Sequence, residues 1–229
     1  MQKLVLEQKS REKFNPNNIN ERILDPKLIN PIVLEEHKAR YNFASEFVKG
    51  KKMLDCGCAG GYGTNFLSNF AQNIKAIDLS KEAVAFAKKN FQTKNIEFQQ
   101  MDATSLKFKD SDFDSVISFE VIEHIKNQNK YLSEIKRVLK KEGVYVCSTP
   151  NTKIFGSDNN SFHEKEFSFE ELKALLEKHF SSVEIFGQKH KENIFEKVLR
   201  KLGLYKQSSA VSNKSAGNNS LYFVAVCRK

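Results

Sequence analysis

Residues 53–63 read MLDCGCAGGYG, a stretch that runs from an apolar strand through a turn of small residues into the start of a helix. At such a turn, the backbone N–H groups at the helix start face whatever lies above the end of the strand. Glycine or alanine at positions 57, 59, 60, 61 and 63 lets a ligand lie against the main chain. The stretch therefore predicts a site for a nucleotide-like cofactor.

On either side of this turn, short β-branched runs alternate with longer amphipathic segments. This alternation is typical of a parallel sheet flanked by helices. Strands are predicted at residues 52–56, 74–78, 96–99, 113–119, 143–148, 183–186 and 221–227, and helices at 62–70, 81–91, 129–139 and 169–178. We expect an α/β fold, doubly wound, with helices on both faces of a mostly parallel seven-stranded sheet.

The composition is that of one globular domain, with 40% hydrophobic and 28% charged residues in 229. The chain has no run of about 18 apolar residues, and its start lacks the apolar core of a signal peptide, so a membrane span and export are both disfavoured. The four cysteines, Cys56, Cys58, Cys147 and Cys227, form no Cys-x-x-Cys pair. They are interpreted as reduced core residues, which favours a cytoplasmic location.

The net charge of +9 is concentrated at the end of the chain. Residues 188–229 contain nine Lys and Arg against two Asp and Glu, a balance of +7, whereas residues 51–187 are neutral. A basic segment suits an anionic partner such as a phosphate, a nucleic acid or an anionic membrane, but it is equally consistent with a solvated face. We predict an N-terminal extension at residues 1–34, and a main domain at residues 35–229 that carries a basic helix and a flexible linker at 188–220.

Three acidic residues lie at or just after the ends of successive predicted strands: Asp55, Asp78 and Asp102. A dinucleotide site would hold a pyrophosphate at the glycine turn, which Asp55 would repel. An acid there suits a cofactor with an ammonium and a sulfonium group, namely S-adenosylmethionine (SAM). Asp78 is placed to accept both hydroxyls of a ribose, and Asp102 to bind the adenine amino group. Each acid alone could instead be a helix cap or a surface charge.

Over roughly residues 35–187 the chain resembles the class I SAM-dependent methyltransferases, in particular the type 11 and quinone O-methyltransferases. The resemblance lies in residues 54–58, 78–80, 102–103, 113–124 and 139–143. It implies a Rossmann-like fold whose last strand is antiparallel, and a cofactor site formed by Arg40, Asp55, Gly57, Gly61, Asp78, Leu79, Asp102, Ala103 and Phe119. Arg40 could alternatively be an exposed helix charge. Ala59 stands where the family usually has Gly, and Glu142 where it usually has Pro.

A second group of residues predicts a catalytic or metal-binding site. Glu120, Glu123 and His124 lie close together in the sequence after a predicted strand, and His163 lies in a later loop. A helical turn would place the first three on one side. Two carboxylates and two imidazoles could hold a divalent metal such as Mg²⁺ or Mn²⁺, which would lower the pKa of an acceptor hydroxyl. Without a metal, His124 or His163 could act as a general base. Alternatively, Glu120 and Glu123 only solvate a helix start while His124 packs on the sheet.

The acceptor is predicted by analogy. The Glu-x-x-Glu-His run resembles metal sites of quinone O-methyltransferases and of small-RNA terminal 2′-O-methyltransferases, although the surroundings of His163 differ from the RNA enzymes. Several segments, among them residues 20–22, 36–41 and 162–167, resemble bacterial methyltransferases that accompany surface-polysaccharide synthesis. This implies O-methylation of a sugar hydroxyl or another small polar acceptor. The alternatives are an RNA 2′-hydroxyl, a quinone precursor, or a binding module without turnover, and the basic helix could contact an anionic membrane or cover the site.

Overall fold

The computed structural model describes residues 31–155, 163–191, 208–216 and 219–229. The helices are α1 (Pro31–Val48), α2 (Tyr62–Leu67), α3 (Lys81–Asn90), α4 (Gln128–Val138), α5 (Thr152–Phe155) and α6 (Phe169–Glu177), with one 3₁₀ turn, η1 (Ile122–His124). The strands are β1 (Lys52–Cys56), β2 (Asn73–Asp78), β3 (Ile96–Gln100), β4 (Phe113–Phe119), β5 (Leu139–Pro150), β6 (Ser182–Lys191), β7 (Ser208–Ser215) and β8 (Tyr222–Arg228). None of the helices in these ranges is long and apolar enough to cross a membrane.

The strands form one sheet in the order β3-β2-β1-β4-β5-β8-β6-β7. The first five strands in this order are parallel, and β8 pairs antiparallel with both β5 and β6. The α/β architecture and the antiparallel last strand are therefore confirmed. Strand β2 pairs with one side of β1, and the chain later returns so that β4 pairs with the other side of β1. This reversal opens a crevice above the carboxyl ends of β1 and β4, where ligands bind in open α/β sheets.

The sheet has eight strands rather than the seven predicted, and the difference lies in residues 188–220. Within this region β6 continues to Lys191 and pairs antiparallel with β7, so residues 208–215 of the predicted linker form a strand. The β7 sequence, SSAVSNKS, has only Ala210 and Val211 as apolar residues. An edge strand of this kind pairs through its backbone and shows little hydrophobic alternation. Residues 192–207, which contain the predicted amphipathic helix, lie outside the described residues.

Local sequence signals fix the helix starts on which the site depends. The Ser80 hydroxyl caps α3 by accepting from the Ala83 N–H, and Ser168 with Glu171 forms a capping box at the start of α6.

Helix α1 begins at Pro31, inside the predicted N-terminal extension, and residues 1–30 lie outside the described residues. All four cysteines are buried and unpaired, as predicted.

Candidate active site

The glycine turn after β1 is held in a left-handed backbone conformation. Gly57 has φ +86° and Gly61 φ +84°, and the N–H groups of Gly57 and Cys58 both donate to the Ile77 carbonyl, at 2.8 and 2.9 Å. A Cβ on Gly57 would lie 2.3 Å from Val121 Cγ2, so position 57 requires glycine on both conformational and steric grounds. Ala59 also has a positive φ of 45°. The turn therefore brings the backbone of residues 57–61 to the crevice.

Asp55 lies in β1 and is enclosed by the protein, since only 1% of it is exposed. Its Oδ2 accepts a hydrogen bond from the Thr64 hydroxyl at 2.6 Å. Burial, reinforced by the nearby Asp78 and opposed by the Thr64 bond, raises the pKa of Asp55 to about 7. Sequence reasoning did not identify Thr64, although it lies nine residues after Asp55, on the helix that begins just after the glycine turn.

Asp78 ends β2 and is fixed by the backbone at both of its oxygens. Its Oδ2 accepts from the Ala59 N–H at 2.9 Å, and its Oδ1 from the Ser80 N–H at 2.8 Å. Ser80 is the N-cap of α3, and Asp78 contacts this helix start by accepting from the Ser80 N–H. The Asp78 carboxylate is thereby held between the glycine turn and the start of α3.

Three of the predicted cofactor-binding residues lie along the ends of β2 and β3. Leu79 is 70% exposed, the largest exposure among the large hydrophobic side chains that the structure describes. Asp102 is also exposed, and its Oδ1 accepts from the Thr104 N–H at 2.7 Å, which forms a local turn. Ala103 packs against the main hydrophobic core. The exposed apolar side chain of Leu79 and the exposed carboxylate of Asp102 thus both lie at this end of the sheet.

Arg40 is completely buried, so the exposed-charge alternative for this residue is wrong. Its Nη1 donates to Gln188 Oε1 at 2.8 Å, and its guanidinium lies over the Tyr222 ring, 4.5 Å from the centroid. Two of its nitrogens, Nε and Nη2, have no hydrogen-bond partner among the described residues. A buried cation with unsatisfied donors is costly, so this arrangement fits an anionic ligand group. Glu120 also contributes a favourable charge to Arg40.

Aromatic side chains from α1 pack beside this arginine. The Tyr41 ring contacts Phe119 edge-on, at 5.2 Å between centroids, and Tyr62 at 5.7 Å. The Tyr62 hydroxyl lies 2.7 Å from His37 Nδ1. Helix α1 therefore covers the junction between the glycine turn and the end of β4. The sequence analysis identified Phe119 but not His37, Tyr41 or Tyr62.

Glu120 takes an unexpected position. Its φ is +56°, a strained conformation for a residue with a side chain, and it precedes η1 rather than belonging to a helical turn. Its Oε1 accepts from the Ser148 hydroxyl at 2.5 Å. The prediction that Glu120 joins the other candidate metal ligands on one side of a helix is therefore wrong. The backbone turns its carboxylate toward β5 and Arg40.

Glu123, His124 and His163 come together as predicted. One ligand atom of each residue lies within 4.8 Å of those of the other two, and the two imidazole rings are 4.8 Å apart at an angle of 71°. Glu123 is 1% exposed and its Oε2 has no hydrogen-bond partner among the described residues, whereas His124 is exposed. The alternative in which Glu123 merely solvates a helix start is therefore wrong. Burial and the charge of Glu120 raise the pKa of Glu123 well above its ordinary value.

The fold and this site can be compared with known proteins. The family described as "Methyltransferase domain" matches residues 54–147. A "probable S-adenosylmethionine-dependent methyltransferase" of Mycolicibacterium smegmatis is 32% identical over 145 residues, which are 62% of this chain and 56% of that protein. A crystal structure of a SAM-dependent methyltransferase from Thermotoga maritima aligns with a TM-score of 0.66 at 17% identity, covering 92% of this chain and 98% of that one. Residues 54–147 thus match a methyltransferase domain family, and the chain shares the fold of a solved SAM-dependent methyltransferase.

The chain is also similar to a ubiquinone biosynthesis O-methyltransferase of Rickettsia bellii, with 32% identity over 132 residues, 54% of this chain and 52% of that protein. The chain spans about half the length of the curated relatives that it matches. The matched family region includes the glycine turn, Asp78, Asp102 and the Glu123-His124 pair, but not Arg40 or His163. Arg40 and His163 are therefore brought to the candidate site by parts of the chain outside the matched region.

Proposed function

We propose that this domain methylates a hydroxyl group of a sugar or another small polar acceptor, with SAM as the methyl donor and with metal assistance. The observation that carries the proposal is the placement of two sets of side chains at one edge of the sheet. A donor-type site extends over β1, β2 and β3, and the Glu123, His124 and His163 cluster follows β4, next to β1. The two groups that a methyl transfer needs, a donor site and a site that activates a hydroxyl, are thus neighbours.

The donor site fits SAM in its chemistry. Asp78 would accept from the ribose hydroxyls, Asp102 from the adenine amino group, and Leu79 and Ala103 would contact the adenine ring. Gly57 and Gly61 would line the methionine portion, next to Phe119. The unsatisfied Nε and Nη2 of Arg40 would donate to the methionine carboxylate, and Asp55 would offset the positive charge of the donor.

When bound, SAM supplies a methyl group on a positively charged sulfur. The chain must then hold an acceptor oxygen in line with that methyl group and remove its proton. Alignment of two reactants contributes effective molarities of up to about 10⁵ to 10⁸ M. His124, the exposed member of the cluster, would contact the acceptor. Glu123 and His163 are less exposed than His124.

A divalent cation fits the cluster because Glu123 Oε2 is buried without a hydrogen-bond partner among the described residues, and ligand atoms of Glu123, His124 and His163 lie within 4.8 Å of one another. Two nitrogen ligands and one oxygen ligand suit Mn²⁺ better than Mg²⁺, which prefers oxygen. A bound cation lowers the pKa of an attached hydroxyl, as it lowers that of water from about 15.7 to about 7. The histidines alone could still act as a general base, which would contribute about 10²–10⁴-fold.

A quinone precursor is the second candidate acceptor, and it is favoured by the similarity to the ubiquinone biosynthesis O-methyltransferase. The candidates are separated by assaying methyl transfer from isotopically labelled SAM to nucleotide sugars, glycans, catechol-type quinone precursors and RNA oligonucleotides, with and without a chelator. Labelling of sugars that the chelator abolishes supports the proposal. Labelling confined to phenols or to RNA would reject the sugar assignment, and an absence of labelling in a whole-cell extract would leave a binding module.

Asp78→Ala is expected to weaken SAM binding by about 10- to 150-fold. The reason is the loss of charge-assisted hydrogen bonds to the ribose, which contribute about 1.5–3 kcal/mol. Calorimetric titration measures the effect, with Asp110→Ala as the control because Asp110 pairs with Arg137 outside this site. Equal SAM affinity in the Asp78→Ala variant and the unmodified protein would contradict the ribose assignment.

Glu123→Gln is expected to weaken Mn²⁺ binding by at least about 10-fold, because it replaces the anionic ligand of the cluster by a neutral amide. Mn²⁺ binding is measured by electron paramagnetic resonance in the absence of SAM. Glu164→Gln is the matched control, since Glu164 is exposed on the loop that carries His163. Equal loss of Mn²⁺ affinity in both variants would show that the charge acts at long range and not as a ligand.

A further inference from the structure

The loop that carries His163 is fastened directly to the backbone of Glu123. The N–H groups of Glu164 and Lys165 both donate to the Glu123 carbonyl, at 2.8 and 3.2 Å. One residue therefore supplies a carboxylate to the cluster and also anchors the segment that brings the distant histidine to it. These bonds fix the position of the loop, but they leave the orientation of the His163 ring undetermined.

The orientation of that ring is set by a second carboxylate. His163 Nδ1 lies 2.9 Å from Glu166 Oε1, and the two side chains are only 13% and 8% exposed. The other oxygen of Glu166, Oε2, is buried and has no hydrogen-bond partner among the described residues. A buried carboxylate is costly unless it is paired. Among the described residues, His163 is the side chain that pairs with the Glu166 carboxylate.

We infer that Glu166 is a positioning residue, which holds His163 with its proton on Nδ1 and leaves the Nε2 lone pair for the cluster. The inference rests on the proposed function, because it gives His163 a ligand or base role. A carboxylate that accepts from one ring nitrogen fixes both the tautomer and the rotation of a histidine. The spacing His163-x-x-Glu166 is visible in the sequence, but the pairing shows only in the structure.

The tautomer of His163 tests this inference without a metal or an acceptor. Long-range ¹H–¹⁵N correlation spectra of histidine-labelled protein at about pH 8.5, where an ordinary imidazole of pKa about 6.5 is neutral, report which ring nitrogen carries the proton. The His163 signal is assigned from its loss in a His163→Gln variant. We expect the Nδ1–H form in the unmodified protein and in Glu166→Gln, whose amide oxygen can still accept. We expect the Nε2–H form in Glu166→Ala, and no change in the control Glu164→Ala.

Metal affinity gives a second readout. Glu166→Ala is expected to weaken Mn²⁺ binding by about 10- to 100-fold, Glu166→Gln by less, and Glu164→Ala by less than about 2-fold. An Nε2–H tautomer in the unmodified protein, or an unchanged tautomer in Glu166→Ala, would overturn the inference, and the first result requires no variant that could fail to fold. If the unmodified protein binds no Mn²⁺, the metal proposal fails, while the tautomer still decides the role of Glu166.

Discussion

Replacing His124 with alanine is expected to lower the rate of methyl transfer by about 10²–10⁴-fold while changing the SAM dissociation constant by less than about 2-fold. The size of the loss follows from the contribution of a positioned group that assists proton transfer, whether through a metal or as a base. The separation of the two effects follows from the structure. His124 lies in η1 after β4, whereas the candidate ribose and adenine contacts follow β2 and β3.

The matched control is His179→Ala. His179 lies just after α6, and its Nε2 pairs with Asn129 Oδ1 at 3.1 Å, away from the cluster. We expect His179→Ala to retain the turnover of the unmodified protein in the same assay. A fully active His124→Ala variant, or one that loses SAM binding and turnover together, would contradict the assignment of the Glu123, His124 and His163 cluster to acceptor activation.

Asp55→Asn is expected to stabilise the fold and weaken SAM binding at the same time. Asp55 has a pKa of about 7 in the folded chain, against an unfolded value near 3.8, so the native state binds the extra proton between about pH 4 and 7. The free energy of unfolding therefore decreases as the pH rises from about 4 to about 7, and it remains lower at higher pH. The difference between the folded and unfolded pKa values of Asp55 corresponds to a destabilisation of about 4 kcal/mol at pH 8.

Urea unfolding of both proteins without SAM measures this effect. The free energy of unfolding of Asp55→Asn should exceed that of the unmodified protein by about 4 kcal/mol at pH 8, and the difference should approach zero near pH 4. Thr64→Val is the companion variant, because removing the 2.6 Å hydrogen bond should raise the pKa of Asp55 further and destabilise the protein most at high pH. A pH-independent difference between Asp55→Asn and the unmodified protein would show that the Asp55 carboxylate does not titrate as described.

SAM titration of the same variant addresses the functional half of the prediction. An ammonium and a sulfonium group near Asp55 would favour its charged form, so the stability cost of the buried acid would be offset when the donor binds. We expect Asp55→Asn to bind SAM at least about 10-fold more weakly at pH 8. Unchanged SAM affinity would mean that Asp55 serves only to hold Thr64.

The central part of the fold could be predicted because its signals are local. The apolar runs of β1 and β4 and the small-residue turn at residues 57–61 are contiguous in sequence, and their predicted strands agree with the structure. The edge strand β7 could not be predicted, because its polar sequence pairs through the backbone and carries almost no periodic pattern. Its pairing with β6 depends on partners more than fifteen residues away.

The site shows the same division. Asp78, Glu123 and His124 were found because each lies at or shortly after the end of a predicted strand, whereas the burial of Arg40 depends on Gln188 and Tyr222 from the far end of the chain. The position of Glu120 was missed because a left-handed residue after a strand breaks the helical spacing on which the prediction relied. Glu166 was missed because its partner His163 is brought to the site by tertiary contacts, among them the backbone hydrogen bonds of Glu164 and Lys165 to Glu123.

The most direct test of the account is an isothermal titration of the unmodified chain with SAM and with S-adenosylhomocysteine. We predict saturable binding of both compounds at one site, and an increase in melting temperature that grows with ligand concentration, as expected for a ligand that binds only the folded state. If neither compound releases or absorbs heat nor protects the fold against thermal unfolding, then the crevice above Asp55, Asp78 and Asp102 does not hold this donor.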